Sequence, residues 1–126
     1  FIATREPGGT ELGEGIRELL LDKKQTGMNA VAELLLLFAA RAQHVEQVIK
    51  PALQHGRWVI CDRFTDSSYA YQGGGRELPI ELIAGVEELA IKNFRPDSPL
   101  ILACRLKKVC LVLKQSAQRI GLKASR

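Results

Sequence analysis

A continuous apolar run of strand length, Trp58 to Cys61, is the feature that most constrains the fold of this chain. Gly56 precedes the run and the charged pair Asp62-Arg63 follows it, a pattern typical of a strand covered on both faces. A second candidate strand is Leu100 to Ala103. Because long helical patterns separate the strands, the connections must be crossovers, which join parallel strands. The sequence therefore predicts an α/β fold, a parallel sheet with helices on both faces.

Three helices are predicted from the spacing of apolar residues. The first runs from Glu11 to Leu20 with Thr10 as its N-cap, and the second covers Ala30 to Leu53, where Pro51 is expected to kink or end the last turn. The third begins at Pro79 and runs to about Phe94. Its predicted inward residues are Ile80, Ile83, Val86, Leu89, Ala90 and Phe94.

Composition excludes several classes of protein. With 46% apolar and 25% charged residues among 126, the chain has the composition of a globular domain. Its longest apolar run, Leu34 to Ala40, has seven residues, whereas a membrane helix needs about 20. The chain begins with Phe1 and has no leader pattern, so we expect further sequence before it and no targeting segment within it.

Charge and cysteine content indicate the environment of the protein. The net charge of +4 comes from the tail, because Arg105 to Arg126 contains seven basic residues and no acid, whereas residues 1–104 contain 11 basic and 14 acidic residues. Nucleic-acid binding is therefore not indicated for residues 1–104. Cys61, Cys104 and Cys110 form no CxxC pair, which argues against a disulfide framework or a zinc site and favours a cytoplasmic location.

The loop after the first strand is a candidate site, since ligands bind at the carboxyl ends of parallel strands. Residues 4–10 read TREPGGT, in which the charged pair Arg5-Glu6 precedes a Pro-Gly-Gly turn and a helix. Such a loop is common without any ligand. In a functional interpretation, the turn brings both side chains to the sheet edge, within reach of a phosphate or of water bound to a metal ion.

Asp62 and Arg63 occupy the same edge directly after the buried strand. They could simply satisfy loop backbone groups. The alternative is that the forked guanidinium donors of Arg63 bind phosphate oxygens while Asp62 holds magnesium through water. Arg63 is the best single candidate for a phosphate contact.

Phe38 and Arg41 share a face of the second helix. A buried arginine needs either an acid or a ligand as its partner. Phe38 is either a core residue or a platform for a base, with Arg41 donating to the carbonyl of that base. The loop from Asp62 to Gly75 adds further polar groups, Ser67, Ser68, Tyr71 and Gln72.

Four motifs in order give the chain a resemblance to a known family. They are TREPGGT from Thr4, FAARAQHVEQVIKPAL from Phe38, CDRFTDSSYAYQGGGR from Cys61 and FRPD from Phe94. Over about residues 1–102 the chain resembles bacterial thymidylate kinases, which are P-loop nucleoside monophosphate kinases. The resemblance implies transfer of the γ-phosphoryl group of ATP to dTMP with Mg²⁺, in a parallel-sheet fold that dimerises through its helices.

The resemblance also implies roles for individual residues. Arg63 is similar to the residue that holds the dTMP phosphate during transfer, and Asp62 to an acid near the metal. Arg5 and Glu6 fall where the family's loop approaches the acceptor phosphate and Mg²⁺, which would be held through water with no direct protein ligand. The residues matching the base and deoxyribose site are Phe38, which would stack on thymine unless Leu37 does so, Arg41, Ser68, Tyr71 and Gln72.

Two departures from the family pattern limit these expectations. The chain contains no GxxxxGK followed by Ser or Thr, so residues 1–104 are expected to form an incomplete, dTMP-binding part that transfers no phosphate alone. Residues 105–126 are expected to be a divergent basic tail, in which Ser116 to Gly121 with Arg119 resembles a degenerate lid. The alternative function is a noncatalytic nucleotide-binding or nucleic-acid-binding module, the latter acting through the tail.

Overall fold

The computed structural model describes residues 1–92, 94–104 and 107–114, with side chains for residues 1–92 and 94–100. The lid-like segment with Arg119 lies outside the described residues. The elements in chain order are β1 (Ile2–Arg5), α1 (Glu11–Leu21), α2 (Ala30–His44), a π-helical turn (Val45–Ile49), α3 (Lys50–Gln54), β2 (Val59–Asp62), α4 (Thr65–Ser68), a second π-helical turn (Tyr69–Gly75), α5 (Ile80–Ile91), β3 (Ser98–Cys104) and β4 (Lys107–Lys114).

The described strands form one four-stranded sheet in the order β1-β2-β4-β3. β1 and β2 are parallel, and β4 is antiparallel to both of its neighbours. β1, β2 and β3 therefore run in the same direction, as the α/β prediction requires. β4 was not predicted, because its residues fall in the basic tail. β2 begins and ends one residue later than the predicted strand, so that it includes Asp62.

The predicted second helix is a single rod of helical backbone that contains one wider turn. α2 leads into the first π-helical turn, and α3 follows without a break as far as Gln54. Pro51 lies in the first turn of α3. Because proline has no N–H to donate to the preceding turn, a widened turn just before it removes the clash that an α-helix would have there.

The third predicted helix buries a narrower stripe than expected. Ile83, Glu87 and Ile91, spaced four apart, are its buried residues. The prediction that Ile80 and Leu89 face inward is wrong, since they are 64% and 81% exposed. A helix that packs along a single ridge covers only the residues on that ridge.

Glu87 is the unexpected member of that stripe. The Tyr69 hydroxyl donates to its Oε2 at 2.6 Å, and Arg95 forms an ion pair with its Oε1 at 2.7 Å. A carboxylate can be buried when it is paired in this way. The helix ends at Ile91, three residues earlier than predicted, where Lys92 adopts a left-handed conformation with φ of 48°.

The core lies between the sheet and the long rod of α2 and α3. One cluster of buried residues joins the rod to β2 and α5, and consists of Val45, Ile49, Leu53, Val59, Phe64 and Ile91. A second cluster joins α2 to α5 and consists of Leu34, Phe38 and Ile83. This packing fixes the loops that follow β1 and β2. Within the described residues, no helix combines the length and apolarity needed to cross a membrane.

Candidate functional site

The register of the parallel pair brings the two predicted loops together. Arg5 lies opposite Asp62 at the carboxyl ends of β1 and β2, and the Glu6 N–H donates to the Asp62 carbonyl at 3.0 Å. The chain segments after both strands therefore start side by side. This is the sheet edge at which the sequence predicts a ligand.

A pocket of about 280 Å³ opens at this edge. Six of the predicted site residues line it: Glu6, Arg41, Arg63, Ser68, Tyr71 and Gln72. The remaining walls are formed by Pro7, Arg17, Leu20, Leu21, Glu33, Leu37 and Ser67. Arg5, Asp62 and Phe38 do not line this pocket.

Glu6 is the centre of a buried network. The residue is 3% exposed, Arg41 Nε donates to its Oε2 at 2.5 Å, and the His44 Nδ1–H donates to its Oε1 at 3.0 Å. The other ring nitrogen of His44 pairs with the Thr4 hydroxyl at 2.7 Å. The partner that Arg41 requires is therefore an acid, 35 residues earlier in the sequence.

The guanidinium of Arg41 has several further contacts. It donates to Ser68 Oγ at 3.0 Å and to the Phe64 carbonyl at 3.2 Å. Its Cζ lies 4.5 Å from the centroid of the Phe38 ring. Because Arg41 also lines the pocket, these contacts make it a rigid group at the pocket wall.

Phe38 lies beneath Arg41 rather than on the pocket surface. Its ring is 1% exposed and packs against Leu34 and Ile83 in the second core cluster. Leu37, the alternative for a base contact, is the residue that lies on the pocket wall.

Arg63 has an unusual backbone conformation, with φ of 68°. A left-handed conformation at a non-glycine residue is disfavoured, and such residues are concentrated at functional sites. Its Cζ lies 4.6 Å from the Tyr71 ring centroid and its Nε donates to Ser67 Oγ at 3.4 Å. No carboxylate of a described residue forms an ion pair with it.

Arg17 is a further residue of the pocket, and it was not predicted from the sequence. It extends from α1 into the pocket wall and donates to the Pro7 carbonyl at 3.1 Å. Within the described part of the chain it also has no ion-pair partner. Its position seven residues after the TREPGGT loop, on the helix that the loop begins, was the available signal.

Glu33 was also not predicted, and it holds two side chains of the loop after β2. Its Oε1 accepts from Gln72 Nε2 at 2.8 Å, and its Oε2 accepts from Arg76 at 2.6 Å. Burial opposes ionisation of Glu33, but the hydrogen bonds from Arg76 and Gln72 outweigh burial, and the pKa of Glu33 is lowered. The signal in the sequence was a single acid in the apolar half of the second helix.

Arg5 and Asp62 lie outside the pocket, at the exposed edge. Arg5 pairs with Glu14 at 3.0 Å, and the Gly9 N–H donates to the same carboxylate at 2.9 Å. The hydrogen bond from Gly9, together with the charge of Arg5, lowers the pKa of Glu14. Asp62 is exposed and forms no ion pair with a described residue.

Glu6, His44 and Cys61 form a buried cluster whose potential ligand atoms lie within 4.8 Å of one another. Burial, and the nearby charge of Glu6, raise the pKa of the Cys61 thiol, so it stays protonated. Both nitrogens of His44 and both oxygens of Glu6 already have partners. The donor set therefore fits a structural network and not a direct metal site.

Comparisons with known proteins agree with this geometry. Residues 1–119 match the sequence model of the family described as thymidylate kinase. The chain is 62% identical over 100 residues to the thymidylate kinase of Ectopseudomonas mendocina, covering 79% of this chain and 48% of that protein. It is 57% identical over 96 residues to the thymidylate kinase of Teredinibacter turnerae, covering 76% and 47%.

A solved structure gives the same result. The crystal structure of thymidylate kinase from Ehrlichia chaffeensis matches with a TM-score of 0.70 at 45% sequence identity, covering 76% of this chain and 50% of that one. This chain spans about half the length of the curated relatives it matches. The resemblance found in the sequence motifs is thus confirmed, and the chain belongs to the thymidylate kinase family.

Proposed function

We propose that this chain forms the dTMP-binding part of an ATP-dependent kinase that phosphorylates dTMP to dTDP. The observation that carries the proposal is the pair of guanidinium groups, Arg17 and Arg63, which line the pocket without a carboxylate partner among the described residues. Two such groups at one pocket attract a dianionic phosphate.

The rest of the pocket suits a nucleoside. Leu37 offers an apolar surface for a base, and Arg41, Ser68 and Gln72 offer hydrogen-bonding groups beside it. The Tyr71 ring also lines the pocket, with the Arg63 guanidinium stacked on it. A volume of about 280 Å³ is close to the lower limit of pockets that enclose small ligands, about 300 Å³.

Phosphoryl transfer depends on positioning and on stabilisation of charge. Arg63 would hold the acceptor phosphate and oppose the charge that develops on it. Glu6 would act by fixing Arg41, since its two oxygens accept from the buried side chains of Arg41 and His44. Asp62 is the residue suited to hold Mg²⁺ through water, and the ion would shield the negative charges of the two phosphate groups.

ATP binding requires a phosphate-binding loop, and no GxxxxGK with Ser or Thr occurs in these 126 residues. We therefore propose that the chain by itself binds dTMP without transferring phosphate. The division into a dTMP-binding part at residues 1–104 and a basic tail at 105–126 is part of the same proposal. A complete enzyme would use ATP, act in the cytoplasm and dimerise through its helices; the exposed Leu12 and Leu19 on α1 support the dimer.

Titration calorimetry tests the binding proposal on the chain itself. We expect the chain to bind dTMP at least about tenfold more tightly than thymidine, which lacks the phosphate. It should also bind dTMP more tightly than dGMP. Equal affinity for all three would contradict a dTMP site. Salt-sensitive binding to any polynucleotide, with no mononucleotide binding, would favour the basic tail as the functional element instead. Turnover of ATP and dTMP above a protein-free control would contradict the expected inactivity.

A further inference from the structure

Glu33 is the only acid between Ala30 and Val45, and it lies in the first turn of α2 where the helix forms a pocket wall. Its side chain is 18% exposed. One carboxylate oxygen accepts from the Gln72 amide and the other from Arg76. Each oxygen therefore has a protein partner that holds the carboxylate in place.

The chemistry of these partners fixes which way the Gln72 amide faces. An ionised carboxylate only accepts hydrogen bonds, so its partner on Gln72 must be the NH₂ group. Gln72 is 5% exposed and lines the pocket. Its carbonyl oxygen has no hydrogen-bond partner among the described residues, and it is the acceptor left for a ligand. Without Glu33, either end of the amide could take this position.

We propose that Glu33 is a positioning residue that sets the orientation of the Gln72 amide and thereby makes the pocket select a pyrimidine whose ring nitrogen carries a proton. This inference rests on the proposed dTMP site. Thymine has an N–H at ring position 3, which a carbonyl oxygen accepts. Cytosine has a lone pair there, which a fixed carbonyl oxygen repels and leaves unpaired.

Arg76 supplies the matched control. It pairs with the other oxygen of Glu33, its side chain is half exposed, and it does not line the pocket. Exposed ion pairs contribute little free energy. Loss of Arg76 should therefore leave the carboxylate, and the bond from Gln72 to it, in place.

The test is the ratio of the dissociation constants for dCMP and dTMP, measured by calorimetry on the complete 126-residue chain at neutral pH. Glu33→Gln is expected to lower this ratio by about tenfold, because a neutral amide at position 33 accepts either orientation of Gln72. Arg76→Ala is expected to change the ratio by less than about twofold. Glu33→Asp keeps the charge but withdraws it by one CH₂ group, and an intermediate decrease is expected.

Each other result has a distinct meaning. An unchanged ratio in Glu33→Gln, or an equal loss in Arg76→Ala, would overturn the positioning role. If Glu33→Gln does not fold, an unchanged ratio in Glu33→Asp would overturn it as well. If the wild-type chain fails to bind dTMP, the proposed function itself fails and this inference fails with it; a wild-type chain that binds dTMP and dCMP equally contradicts the selectivity alone.

Discussion

Removing the charge of Glu6 tests whether the buried network holds the site together. Glu6→Gln keeps the size of the side chain and one acceptor oxygen but removes the negative charge. Arg41 would then be a buried cation with no anionic partner in the described part of the chain. Because transfer of an unpaired charge from water into a protein interior is costly, the folded state should lose stability.

The magnitude follows from the contacts that remain. Breaking a buried ion pair by removing one partner costs about 3–5 kcal/mol. Arg41 would keep its hydrogen bonds to Ser68 and to the Phe64 carbonyl, and its position 4.5 Å from the Phe38 ring centroid. These contacts compensate in part for the lost ion pair. We therefore expect a loss of stability at the lower end of that range, about 3 kcal/mol. At this chain length that corresponds to a decrease of Tm of roughly 10 °C.

Urea unfolding followed by circular dichroism measures this change. Glu46→Gln is the control, because Glu46 forms an exposed pair with Lys50 and its loss should cost less than about 1 kcal/mol. The double variant Glu6→Gln/Arg41→Met also removes the unpaired cation. Its loss of stability should therefore be smaller than the sum of the losses in the two single variants. A loss below about 1 kcal/mol in Glu6→Gln, or full additivity in the double variant, would refute the reasoning.

Three further predictions follow from the site and its supports. Arg63→Ala should weaken dTMP binding by about tenfold or more but leave thymidine binding unchanged, as calorimetry would show; equal losses for both ligands would exclude a phosphate contact. Gly9→Ala should destabilise the fold by more than about 2 kcal/mol, because φ is +78° and the new Cβ would lie 2.6 Å from an imidazole carbon. Gly15→Ala, whose Cβ meets nothing within 4 Å, should stabilise α1 by about 0.5–1 kcal/mol; the same sign for both glycine variants in urea unfolding would contradict this. Burial and the hydrogen bond to Glu87 raise the pKa of Tyr69 above its ordinary value of 10. The neutral phenol therefore contributes fully to the stability of the fold below pH 10, and this contribution decreases as the pH rises further. The difference in stability between wild type and Tyr69→Phe should narrow above pH 10, and a constant difference would contradict the assignment.

The helices and the parallel strands could be predicted because their signals are local. Apolar spacing located α1 and its Thr10 cap, which accepts from the Gly13 N–H at 2.9 Å. The buried run before Asp62 located β2 to within one residue. β4 was missed although residues 109–113 are a continuous apolar run of strand length, because the lysines around them and the acid-free composition suggested a separate tail.

The site was predictable in its location but not in its connections. The motifs indicated Arg41 as a residue that needs a partner, yet they left open an acid or a ligand. The partner, Glu6, is 35 residues away, and only the packing of the rod against the sheet brings the two together. Glu87 is a comparable case, because nothing in the spacing of α5 indicates that Tyr69 and Arg95 would reach it.

The second π-helical turn, Tyr69–Gly75, affects how this part of the chain can change in evolution. A π-helical turn carries about one residue more than an α-helical turn, so it is equivalent to a tolerated insertion. Deleting one residue here would let an ordinary α-helix form, but each residue of a helix contributes about 100° of rotation. Gln72 would then turn away from α2, with the backbone still helical. Relatives of this protein should therefore keep the number of residues in this turn unchanged.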